Sequence, residues 1–133
     1  MRFVCALAGV VAMFVGVLLA QSDADYQGWM KTVAATNGSM QKNLAAKDAA
    51  AVSADATKLQ DTFKEVGGFW QKRGASDAVN FAKQAQDAAA AVSKDAAAGN
   101  MDQAAADAKT LAAQCQQCHM AHREKGDSGF KIK

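Results

Sequence analysis

Proline is absent from all 133 residues, and aromatic side chains are few: six Phe, two Trp and one Tyr. Runs of β-branched residues separated by turn signals are also missing. Sandwiches, barrels and doubly wound sheets need such runs and such punctuation, so the chain is not expected to form them. Blocks of like charge are lacking as well. Lys and Asp alternate along the chain, the formal net charge is only +2, and charged residues make up 21 %. The basic footprint of a nucleic-acid binder is not there. Nor is the chain acidic enough for a metal buffer, and its mixed, modest charge is not that of a disordered segment. Cysteine is sparse, with three residues in all.

Alanine is abundant. It fills about a quarter of the positions between Gln21 and Lys133. Ala is the best helix former and Pro the worst, so the composition points to an all-α protein. The length allows one core and not two.

The first residues read as an export signal. Met1 and Arg2 give a short positive start, and Phe3 to Ala20 carries no charge. The chain then turns polar at Gln21, Ser22 and Asp23. This is the layout of a secretory signal peptide over residues 1–20. Cleavage after Ala20 leaves Leu18 at the −3 position, larger than usual, whereas cleavage after Ala24 puts Ser22 there; both stay open. The competing reading is an uncleaved membrane anchor, since the apolar run is near the lower limit for spanning a bilayer. Cys5 lies in the apolar run and leaves with the signal. The expected domain is then residues 21–133, periplasmic and free of the membrane once processed.

Four helical stretches follow, with short breaks. Trp29, Met30, Val33, Asn37, Met40 and Leu44 recur at spacings of three and four in a first helix from about Asp25 to Ala46. Gly38 within it is either merely tolerated or marks the close approach of something bulky. Asp48 is an N-cap for the second stretch, whose Val52, Leu59, Phe63 and Val66 point inward. Gly67-Gly68 interrupts or ends it. The third starts at Ser76 or Asp77 and carries Val79, Phe81, Ala82, Ala85, Ala89 and Val92. Gly99-Asn100 is a stop and restart, and Asn100 with Gln103 resembles a capping box. The fourth helix runs to about Lys125, and Gly126–Lys133 is expected to fray. Short connections force antiparallel neighbours, so the expected fold is an up-down-up-down four-helix bundle. Alanine tracts supply little apolar area, and a large apolar group inside the bundle would make up the deficit.

The chemistry is carried by Cys115-Gln116-Gln117-Cys118-His119. In an exported protein a C-x-x-C-H run reads as a c-type haem attachment site, each thiol adding across one vinyl group. On a helix the two sulfurs lie one turn apart on nearly the same face, and His119 comes from the same side. Ala104, Ala108 and Leu111 continue that face, so it looks into the bundle. Rival readings are weaker. A thioredoxin-type disulfide normally opens a helix after a strand. A closed zinc site on Cys115, Cys118 and His119 or His122 lacks further Cys or His ligands. A structural disulfide at i and i+3 would cross-link almost nothing. His122 reads best as an exposed surface residue.

With these residues the chain resembles the class II cytochromes c, the cytochrome c′ family. Those proteins are four-helix bundles with haem attached late in the last helix. The family pattern places a basic residue four after the His, close to it; Arg123 stands there. In the first helix the family often has an Arg-Gln pair, and the residue three after Gln faces the open side of the haem iron. Here the pair is Tyr26-Gln27 and the facing residue is Met30. In gas-binding members that position holds a non-ligand, and in low-spin members a Met ligates the iron. The resemblance therefore implies one covalent haem c with His119 and Met30 as axial ligands. Thioether plus imidazole is a common pair in c-type cytochromes and raises the potential. Met40 lies about three turns away, and Met120 follows His119 on its own helix, so neither suits the sixth position. Tyr26 in place of Arg leaves the partner of the haem propionates open, with Gln27, Lys31 and Arg73 as candidates. Trp70 and Phe81 either wall the haem pocket or serve as ordinary core.

The resemblance implies an electron carrier rather than an enzyme, passing electrons between donor and acceptor proteins. A five-coordinate protein that binds NO or CO, with Met30 only lining the pocket, is the alternative. A haem-free helical interaction module is a third reading. Family members often pair through their first two helices, so a homodimer is within the expectation.

Overall fold

A computed structural model describes residues 21–133. The leader assigned to residues 1–20, including Cys5, lies outside the described residues. The chain is a four-helix bundle, α1 (Asp23–Ala45), α2 (Ala49–Lys72), α3 (Ser76–Ala97) and α4 (Met101–His122). An antiparallel hairpin follows, β1 (Arg123–Gly126) and β2 (Gly129–Ile132), with Arg123 opposite Ile132 and Gly126 opposite Gly129. Among the described residues no helix is long and apolar enough to cross a membrane.

Capping explains where the helices start and stop. Ser22 opens α1 with a reciprocal capping box. Its hydroxyl accepts from the Asp25 amide (3.1 Å), and the Asp25 carboxylate accepts from the Ser22 amide (2.8 Å). The bond from the Ser22 amide holds the Asp25 carboxyl below its ordinary range. Asp48 caps α2 as expected, accepting from the Ala51 amide at 3.0 Å. The expected box at Asn100 does not form: Asn100 makes no side-chain cap bond, and Gln103 donates to Asp107 on the next turn instead. The first three helices end alike. A residue in the left-handed region follows each C-cap (Lys47, Gly74, Gly99), and the next amide reaches back to a carbonyl in the last turn. These are Schellman turns, which glycine suits best and Lys47 tolerates at φ 55°.

Two expectations fail here. Gly67-Gly68 neither breaks nor ends α2, which runs on to Lys72. Phe69 and Trp70 beyond the pair are almost wholly buried, and their packing outweighs the helix cost of about 1 kcal/mol per glycine. A Cβ on Gly67 would sit 3.6 Å from the Ala82 Cβ, so the small residue also lets α3 come close. The C-terminal segment does not fray, and α4 stops at His122 rather than Lys125. Arg123 takes an extended conformation, Asp127-Ser128 makes the turn, and Lys133 donates its amide to the His122 carbonyl.

The core has two characters. Between α2, α3 and α4 it is built of small side chains, such as Ala82, Ala85, Ala89, Val92, Ala104 and Ala108, so these helices lie tight together. Between α1 and α2 it is aromatic: Tyr26 packs on Phe69 and Trp70, and Trp29 meets Phe69 edge-on. Helix α1 therefore leans on α2 and scarcely touches α4. The seam left between α1 and α4 holds the site.

Candidate cofactor-binding site

A cavity of about 360 Å³ fills that seam, within the size range of small-molecule and cofactor pockets. Each wall follows from the fold. Helix α1 contributes one face, on which Tyr26, Met30, Val33 and Asn37 succeed one another at spacings of three and four. Leu59 and Phe63 of α2 form the floor. Helix α4 supplies Leu111, Cys115, Cys118, His119 and His122, and the hairpin supplies Arg123, Phe130, Lys131 and Ile132. Helix α3 lines no part of it.

The two thiols are free and only partly exposed. Burial raises Cys115 above its ordinary value and carries Cys118 up to about 11, with Cys115 and Asp77 adding to the effect on Cys118. Both are therefore protonated at neutral pH, unlike the low-pKa thiolate of a redox dithiol. Among the described residues no group of three His, Cys, Asp or Glu side chains converges as a metal ion would require. His119 is held below its ordinary 6.5, first by burial and then by the Arg123 cation. A neutral imidazole with a free lone pair is the form that binds a metal. His119 also borders a second, shallower groove with Gln116, Met120, Arg123 and Phe130, so the ring stands between two openings.

All the expected ligating residues reach one cavity: Cys115, Cys118, His119, Met30 and Arg123 each line it. Met40 is fully buried away from it, and Met120 is 72 % exposed. Arg123 is outside the last helix, and its guanidinium lies over the Phe130 ring at 4.0 Å. Tyr26 is buried, and burial pushes its phenol up to about 12, with the neighbouring Cys118 adding to it. It is thus a neutral hydrogen-bonding group and an aromatic wall.

The structure places several side chains whose roles the sequence left open. Arg73 faces away from the cavity rim; it pairs with Asp23 and stacks on Phe69. Gln27 lines the cavity and donates to the Phe130 carbonyl at 3.2 Å. Trp70 backs the aromatic cluster, and neither it nor the half-buried Phe81 lines the cavity. A Cβ on Gly38 would meet nothing within 4 Å, so no close protein neighbour requires that glycine.

His122 is the largest correction. Its side chain is 17 % exposed, bonds the Asp77 carboxylate at 2.8 Å and lies 4.7 Å from the Trp70 ring. The bond ties the end of α4 to the start of α3 and holds the Asp77 carboxyl below its ordinary range. Its spacing of three from His119 puts it on the inward face, a signal that was present in the sequence.

The charges at the cavity are of one sign. Lys31, Arg123 and Lys131 line it, and no Asp or Glu does. An apolar chamber with thiols and an imidazole on one side, a thioether on the other and cations at its rim fits a flat apolar group bearing carboxylates. No protein-family model matches the chain, and comparison with curated proteins and with solved structures finds no match either.

Proposed function

We propose that this chain is an exported electron-transfer protein of the class II cytochrome c type, carrying one covalent haem c. The observation that carries the reading is a single apolar cavity lined at once by Cys115, Cys118, His119 and Met30. Haem, when bound, supplies an iron that takes up and gives back one electron. Cys115 and Cys118 would hold the group through two thioether links, each S–H adding across one vinyl double bond with nothing released. Both thiols belong to α4 and would fix the group's orientation, with His119 of the same helix as the nitrogen donor. Burial and the Arg123 cation keep that imidazole neutral. Met30 lines the cavity from α1 and would offer a thioether donor. Leu59, Phe63 and Leu111 line the cavity and would keep water from the group. With both donors engaged, the iron would have no position for a substrate, as suits a carrier. Redox partner proteins would act at the periplasmic face of export.

Absorption spectra of the exported protein, oxidised and reduced, with and without CO, test this. A sharp low-spin reduced spectrum unchanged by CO is expected. A broad high-spin spectrum that sharpens with CO would make it a five-coordinate gas binder. A colourless protein after expression with c-type maturation would make it a haem-free bundle.

A further inference from the structure

The C-terminal hairpin is the one wall of the cavity that does not belong to the bundle. It is secured at several points. Gln27 of α1 donates to the Phe130 carbonyl (3.2 Å) and the Lys133 amide donates to the His122 carbonyl (3.1 Å), while within the hairpin the Arg123 guanidinium stacks on the Phe130 ring. A two-stranded hairpin alone is marginal in water, so these attachments hold it against the cleft between α1 and α4. It brings Lys131 to the cavity, which Lys31 of α1 also lines. Arg123 is the third cation, and its guanidinium already covers Phe130. Among the described residues Lys131 pairs with Glu124, at 3.2 Å, and both side chains are about half exposed or more. Such a pair contributes at most about 1 kcal/mol and is readily exchanged for a better anion.

We infer that the hairpin is a working part of the haem site, in which Phe130 and Ile132 cover the edge of the ring while Lys131 and Lys31 pair with its two carboxylates. This rests on the function proposed above. It assigns the charge that Tyr26 cannot supply to two lysines from opposite ends of the chain.

The test uses the haem-loaded protein and four variants: Lys31→Gln, Lys131→Gln, the double variant, and Lys94→Gln on α3, which lines no part of the cavity. All three lysines are exposed, so folding is not at stake. The readouts are the mass increase for covalent haem and the oxidised-to-reduced equilibrium at a fixed applied potential. A cation beside the group favours the reduced form. Each single variant should therefore shift the equilibrium toward the oxidised form by about threefold at low salt, the double variant by more, and the shift should shrink as salt rises. Lys94→Gln should shift nothing. Covalent haem present in every variant, with Lys31→Gln and Lys131→Gln indistinguishable from Lys94→Gln, would overturn the hairpin assignment and leave the proposed function standing. No haem in the unaltered protein would overturn both.

Discussion

Two methionines on one helix separate ligation from packing. Met30 and Met40 both belong to α1, about 15 Å apart along its axis. Met30 is partly buried and lines the cavity, whereas Met40 is fully buried and does not. Leu has nearly the volume of Met, and such a swap costs less than about 1.5 kcal/mol in a packed site. Met30, bordering open space, should lie well inside that limit. Met40, enclosed on all sides, should be the costlier change. If packing were all that mattered, Met40→Leu would disturb the protein more. If Met30 is a ligand, the order reverses for every property of the haem. Met30→Leu should turn the reduced spectrum high-spin, create CO binding and lower the potential, because a thioether ligand raises it. Met40→Leu should change none of these, though its melting temperature should fall by a few degrees. Spectra with and without CO, read beside thermal unfolding of both variants, decide it. An unaltered low-spin spectrum in Met30→Leu, or equal CO binding in the two variants, refutes the reasoning.

Three further outcomes are expected. Ser22→Ala removes the capping box of α1 and should cost about 1 kcal/mol, lowering the melting temperature by roughly 4 °C. In haem-free protein the urea midpoint should fall in two steps as pH drops. The unfolded chain takes up the His119 proton from about pH 6.5 while the folded chain resists it, so stability is lost from there down to the lower folded value. The Asp77 contribution, present above its ordinary 3.8, is lost as pH falls through its depressed folded value. A His119→Gln variant that kept the first step would refute this assignment. Finally, Lys47→Gly relieves a left-handed residue and should raise the urea midpoint by the equivalent of about 0.5–1 kcal/mol.

Helices were legible because alanine and a period near 3.6 dominate the chain, and breaks at Lys47-Asp48, Gly74 and Gly99-Asn100 are local signals. Gly67-Gly68 misled because a local rule met a non-local force, the burial of Phe69 and Trp70. The hairpin was obscured by its brevity. Asp127-Ser128 between glycines, followed by Phe130 and Ile132 in alternation, is a turn-and-strand signal only once a cleft exists for it to cover. The cluster of Cys115, Cys118 and His119 on the cavity wall was readable because the three are neighbours in sequence. Lys131 was not, because only folding brings the last residues beside α1. His122 was misjudged for a related reason: its partners, Asp77 and Trp70, come from elsewhere in the chain.

The narrow contact between α1 and α4 has an architectural consequence. Each helix grips the next in sequence, first to second, second to third, third to fourth, but the circle stays open where the last should meet the first. Such an assembly is a line of links, and the loss of one sets an end free. A rigid plate anchored on α4 and touched by α1 would supply the missing link and turn the line into a closed loop. Every helix would then be held from two sides, and the bundle would come apart as one piece or not at all.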